Sequence, residues 1–156
     1  LFRSFLNEHC DLTEEDLEEK IHIDVPMPMG YVTAELVRQL SVLEPFGNGN
    51  PKPVFAQKNI RLINGRILGK NANVGKYRVE DESGRQYDMM YFGNLEMWHD
   101  FLRENFGQAA CESLYQGGYM GRTDILIHVI YYPEVDVYQG RERMQMIMQD
   151  YSRGNA

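Results

Sequence analysis

Residues 54–93 read VFAQKNIRLINGRILGKNANVGKYRVEDESGRQYDMMYFG. Runs rich in β-branched and aromatic residues are separated here by clusters of Gly, Asn and Ser, the pattern of strands joined by turns. VFAQKNIRLINGRILG predicts one long, bent strand, with Gly65 as the bend or bulge. GKNANVG predicts a turn. KYRVEDESG then gives a second strand turning at Ser83-Gly84, and RQYDMMYFG a third.

Downstream, Asn94 caps a helix over NLEMWHDFLRENFG, with Leu95, Trp98, Phe101 and Leu102 as its apolar stripe and Gly107 as its stop. Residues 107–123 contain Gly117-Gly118 and little periodicity, which predicts a loop. TDILIHVIYY is a fourth strand, and PEVDVYQG connects it to a fifth, RERMQMIMQDY. In that strand Met144, Met146 and Met148 fall on one face, which reads as core packing.

Upstream, Thr13-Glu14-Glu15-Asp16 resembles a capping box opening an acidic helix. IHIDVPM alternates as a strand. Thr33 caps a helix over TAELVRQLSVL, with Leu36, Val37, Leu40 and Leu43 on one face, and Glu44-Pro45 ends it. LFRSFLN begins with Leu1, Phe2, Phe5 and Leu6 at helical spacing and no cap before them, as a helix continuing from a longer protein would.

Three strands, a helix and two more strands follow the order of the OB-fold. The expected class is therefore mostly β with helices: a five-stranded barrel with a helix between strands 3 and 4, preceded by a small α/β segment. The expected division is residues 1–50 as the tail of a preceding domain with its connecting helix, and residues 51–156 as the barrel.

EPFGNGNPKPVF, residues 44–55, lies at that junction. Pro45, Pro51 and Pro53 stiffen it, Gly47 and Gly49 permit positive φ, and Phe46 and Phe55 can anchor its ends. A slack tether favours Gly and Ser and has no use for two phenylalanines. An ordered brace is expected, with direct ligand contact by Asn48 or Asn50 as second choice.

Charge is unevenly spread. The 156 residues carry a formal net charge of −7, yet residues 1–50 hold three basic residues against ten acidic, and account for all of it. Residues 52–85 hold eight basic against three acidic, and residues 86–136 two against eight. A local basic stretch attracts a polyanion even on an acidic chain.

Several classes find no support. Cys10 and Cys111 form no pair motif, and His9, His22, His99 and His128 have no metal-ligating spacing. Asp124 and His128 would stand about 13 Å apart along one strand, too far for a dyad. No apolar run nears the ~18–20 residues that cross a bilayer, and the first residues lack a signal-peptide core, so a cytoplasmic protein without membrane contact is expected.

An OB barrel binds oligonucleotides or oligosaccharides on strands 2–3 and on the loops joining strands 1–2 and 4–5. The first of those loops carries Lys70; strand 2 carries Lys76, Tyr77 and Arg78; strand 3 carries Tyr87, Tyr91 and Phe92. The second loop, residues 133–141, and the strand after it carry Tyr138, Arg141 and Arg143. The expected nucleic-acid contacts are phosphates on Lys70, Lys76, Arg78, Arg141 and Arg143, and bases stacked on Tyr77, Tyr91 and Tyr138. Alternation sets Lys76 and Arg78 on one face and Tyr77 on the other, which leaves burial of Tyr77 open.

LEPFGNGNPKPVF closely resembles the signature near the C-terminal end of the RecJ exonucleases, in the DHH phosphoesterase superfamily. TEEDL, IHID, RILGK, YDMMYFG and VYQGRERMQMIMQDY agree with that family in order and spacing. The resemblance implies the end of a DHHA1 domain followed by an OB-fold domain. It implies a parent enzyme that removes nucleotides from the 5′ end of single-stranded DNA in recombination and repair, with Mn²⁺ or Mg²⁺ in its DHH domain. Neither the DHH nor the GGH motif occurs here, so no catalytic residue, metal site or cofactor is expected in this chain. Gly69 and Lys70, then Asp88, Phe92 and Gly93, then Tyr138, Gly140 and Gln145, match family positions. Val74, Asp136 and Val137 depart from them, where the family has His, Asn and Glu. The partners implied are single-stranded DNA, the rest of the parent nuclease and the acidic tail of a single-strand-binding protein. The alternative is a protein-interaction or scaffold module that braces the nuclease core or docks an acidic peptide.

Overall fold

The computed structural model describes residues 21–116 and 123–155. The capping box at 13–16, the helix expected at the start of the chain, and Gly117-Gly118 lie outside them. Strands β1 (Phe55–Leu68), β2 (Val74–Glu80), β3 (Gln86–Tyr91), β4 (Leu126–Tyr138) and β5 (Arg141–Arg153) close into a barrel in the order β1-β2-β3-β5-β4. Every neighbouring pair is antiparallel except β3 with β5. Helices α1 (Ala34–Leu40), α2 (Leu95–Phe106) and α3 (Gln108–Tyr115) complete the described elements, with single 3₁₀ turns at Met29–Tyr31 and Ser41–Leu43. This is the expected five-stranded OB barrel, with helix between strands 3 and 4.

β1 belongs to both halves of the barrel because it breaks its register twice. Against β4 the break falls between Gln57 and Ile60, where Asn59 adopts φ 52°. Its backbone N–H donates to His128 Nδ1 at 3.1 Å, and its side chain accepts from Asn155 N at 3.0 Å. Against β2 the break falls between Leu62 and Asn64. The bend expected at Gly65 is thus at Ile63, and Gly65 serves packing: it stands opposite Tyr77, and a Cβ there would lie 2.8 Å from the Tyr77 ring and 2.9 Å from that of Tyr115.

Inward residues alternate with outward ones, as the pleat requires. Ile60, Leu62, Tyr77, Val79, Met89, Ile127 and Tyr131 are fully buried, and Met146 and Met148 nearly so. The methionine stripe of β5 is therefore core. Trp98 and Leu102 of α2, with Leu114 of α3, are fully buried in the same cluster.

Three local expectations change. IHIDVPM is not a strand: Val25 makes one parallel bridge with Phe55, and Pro26 and Pro28 supply no N–H for a ladder. Residues 108–115 are helix, although a loop was expected; Cys111 and Leu114 are the buried residues of just two turns, too few to show a period. The connection between β4 and β5 is two residues long. Gln139 and Gly140 have φ of 51° and 75°, a hairpin turn with both central residues left-handed, and PEVDVY continues β4. Beyond Tyr131, β4 pairs only with β5, and a strand with one open edge tolerates Pro133.

Thr33 does cap α1, accepting from Leu36 N at 3.1 Å. The Gly/Pro stretch after it is pinned. Gly47 and Asn50 exchange backbone hydrogen bonds of 2.9 and 3.1 Å, and Asn50 Nδ2 donates to the carbonyls of Leu43 and Pro45 at 2.8 and 3.0 Å. Phe55 is buried in the barrel and Phe46 half-buried. Residues before the stretch also grip the barrel: Asp24 Oδ2 accepts from Val54 N at 2.9 Å, Tyr131 donates to the Met27 carbonyl at 2.8 Å, and Met29 is fully buried.

Candidate nucleic-acid interface

The outward residues of β1, β2 and β3 form cross-strand rows. Leu68 faces Val74; Arg66 faces Lys76, which faces Met90; Asn64 faces Arg78, which faces Asp88. β3 and β5 run parallel, and Met90 pairs with Ile147. Arg143 therefore lies four residues, about 13 Å, back along β5 from that row. The turn at residues 69–73 closes one end of this face, and the β4–β5 hairpin projects past the other.

At its centre Asp88 bridges two cations. Its Oδ1 lies 2.8 Å from Arg78 NH1 and its Oδ2 3.3 Å from Lys76 Nζ. Arg66, beside Lys76, has no ion-pair partner among the described residues. Phe92 follows β3 on the outward alternation, 57% exposed, and by the β2–β3 register falls in line with the Leu68–Val74 row. Among the described residues the face thus offers cations at half-exposed positions and the exposed ring of Phe92.

The hairpin is fixed by its opposite side. Glu142 accepts from Arg38 NH2 at 2.9 Å, which ties the hairpin to α1, while Arg141 and Arg143 alternate to the other face and are exposed. Asp136 stands opposite Arg143, and Tyr138, placed by its backbone, opposite Arg141. Lys70 is exposed in the turn between Gly69 and Ala72, both with positive φ.

Two expected contacts are corrected. Tyr77 has no exposed surface and Tyr91 only 7%. Tyr77 crosses the barrel interior between Gly65 and Gly75, and its hydroxyl lies 2.9 Å from that of Tyr115, which lies 2.8 Å from His99 Nε2. Burial, reinforced by Tyr115, drives the Tyr77 phenol far above its ordinary value of 10.0. Tyr91 packs edge-on against Tyr151, 5.8 Å between centroids, and against Trp98. Neither ring has a face left for a base. On the outer face the exposed side chains include Arg66 and Phe92. Strand alternation carried that signal: Phe92 shares the outward parity of Asp88 and Met90, and Arg66 is the cross-strand neighbour of Lys76.

The turn joining β2 to β3 is built around Asp81. Its Oδ1 accepts from Ser83 N at 2.9 Å, Ser83 Oγ at 2.6 Å and Arg85 N at 3.0 Å, and its Oδ2 from the Tyr87 hydroxyl at 2.7 Å. Burial raises the Asp81 carboxyl, but these donors outweigh it and hold it below its ordinary 3.8. Burial and the bond to Asp81 push Tyr87 up to about 12.

His128 Nδ1 accepts from the Asn59 backbone N–H, and Asp124, fully exposed, lies 3.5 Å from Arg61. Among the described residues no three His, Cys, Asp or Glu side chains gather as metal ligands. No helix among them is long and apolar enough to cross a membrane.

A family model described as the RecJ OB domain matches residues 23–150. The curated single-stranded-DNA-specific exonuclease RecJ of Bacillus subtilis (strain 168) is 35% identical over 97 residues, which span 61% of this chain and 12% of that protein. Two crystal structures of RecJ from Thermus thermophilus, one in complex with Mg²⁺ and one with Mn²⁺, superpose with TM-scores of 0.52 and 0.53. Each is 16% identical and covers 87% of this chain, which spans 17% and 16% of theirs. At that identity the likeness concerns the fold alone. With the match over residues 23–150 and the barrel that those residues build, the chain belongs to the RecJ OB-domain family.

Proposed function

We propose that this chain is a noncatalytic C-terminal part of a 5′→3′ single-stranded-DNA exonuclease of recombination and repair, and that its barrel binds single-stranded DNA. The observation that carries the reading is the outer face of β2 and β3. Lys76, Arg78 and Arg66 stand there beside exposed Phe92, with Lys70 at one end and Arg141 and Arg143 at the other. Cations take the phosphates and the ring takes a base, at ~1–3 kcal/mol per stacked base. The two arginines of the hairpin extend the path past the barrel, held there through Glu142 and Arg38.

In this reading residues 1–50 connect to the preceding domain and residues 51–156 are the DNA-binding barrel. The pinned stretch at 44–55 sets the barrel's orientation to the nuclease core. The Mn²⁺ or Mg²⁺ that the parent uses belongs to that core, and the protein works in the cytoplasm.

Fluorescence anisotropy of a labelled oligothymidylate with the 156-residue chain tests this. Electrostatic contacts predict that log K falls by about 0.7 per phosphate contact for each tenfold rise in salt. Absence of binding at low salt would contradict the reading.

A further inference from the structure

A carboxylate stands in the middle of the proposed DNA face, where a negative charge opposes a phosphate. Asp88 is on the outward side of β3, directly across from Arg78. Aspartate is depleted in strands, so backbone preference does not account for it. Its two oxygens are divided between two cations: Oδ1 2.8 Å from Arg78 NH1, Oδ2 3.3 Å from Lys76 Nζ. The side chains of Asp88, Lys76 and Arg78 are 28%, 37% and 45% exposed.

The geometry points to Asp88 as a resident anion that holds the place of a DNA phosphate between Lys76 and Arg78, and thereby sets both the affinity and the salt response of the face. This rests on the reading of that face as a single-stranded DNA site. A phosphate reaching the two cations meets one negative charge already there and competes for the same N–H donors. Half-exposed ion pairs are weak enough to exchange in this way. Arg66, on the next strand and without an ion-pair partner among the described residues, makes first contact. Lys76 and Arg78 then pass from carboxylate to phosphate. The exchange moves no net charge out of the pair, so it releases fewer counterions from the DNA than two free cations would. The strand is held loosely and lets go readily, as a substrate drawn past the barrel requires.

Asp88→Asn keeps the shape of the side chain and removes its charge. Binding of a labelled oligothymidylate of about 16 nucleotides, the upper end of one barrel's site size, is measured for both proteins over a salt series. Thermal melts of each check the fold. The expected result is about two- to fivefold tighter binding by the Asn variant at low salt. Its plot of log K against log salt is expected to be steeper by about 0.7–1.4. Asp88→Thr, a better strand former, should shift both quantities in the same direction and keeps the test open if the Asn variant folds poorly. Weaker binding, or an unchanged slope, in a folded variant would overturn the role of Asp88 while leaving DNA binding standing. If neither wild type nor variant binds, the DNA reading itself fails and this inference with it.

Discussion

Tyr77 and Val79 of β2 have no exposed surface, while Lys76 and Arg78 on the same strand keep 37% and 45% of their side chains in solvent. One side of the strand meets Gly65, Trp98 and Tyr115; the other meets Arg66 and Asp88. The pleat separates the two chemistries completely, although their residues alternate along the chain. A tyrosine next to a lysine in a barrel strand is therefore a core residue next to a surface one. Base stacking has to be sought among rings that share the lysine's parity, and Phe92 is an exposed ring on that side.

The largest effect should come from the inner side. Tyr77→Ala empties a site bounded by Gly65 and Gly75, which cannot expand to fill it, and should cost about 3–5 kcal/mol in a denaturant melt. A loss below about 1 kcal/mol would mean that the ring is not the core element described. Phe92→Ala should do the reverse: binding of single-stranded DNA weakens by about 1–3 kcal/mol, while stability stays within about 0.5 kcal/mol. A third variant, Arg66→Ala, removes an exposed cation. Its salt slope should fall by about 0.7, with stability again unchanged.

The smallest effect concerns pH. The folded Asp81 carboxyl lies below its ordinary 3.8, so at acid pH the unfolded chain binds a proton more readily than the folded one. Its contribution is complete above 3.8 and fades as pH falls through the lower folded value. Asp81→Asn should flatten the acid limb of a stability–pH curve without altering DNA binding near neutrality. An acid limb identical to wild type would show that the turn draws nothing from this carboxylate.

Long periodic runs made most of the fold legible. The strand–turn alternation of residues 54–93 and the caps at Thr33 and Asn94 stand in the structure as read. What was hidden was short or decided by distant partners. Helix α3 has two turns, and only contact with the barrel fixes it. The two-residue hairpin turn was masked by Pro133, which reads as a strand stop until β4 is known to have an open edge there. Of the candidate site, the outward placement of Lys76 and Arg78 was legible from strand alternation. The assignment of Tyr77 and Tyr91 to bases failed because the barrel interior takes both rings; Gly65 and Gly75 make room there for Tyr77. Arg66 needed the register of β1 against β2, which a bulge at Ile63 shifts by one.

Amide chemical-shift mapping during titration with oligothymidylate reports which side of the barrel DNA touches. Binding on the outer face predicts shifts clustered at Arg66, residues 69–76, Arg78, residues 88–92 and the β4–β5 hairpin. Shifts confined to α2 and α3, or to the β2–β3 turn at residues 81–85, would contradict it.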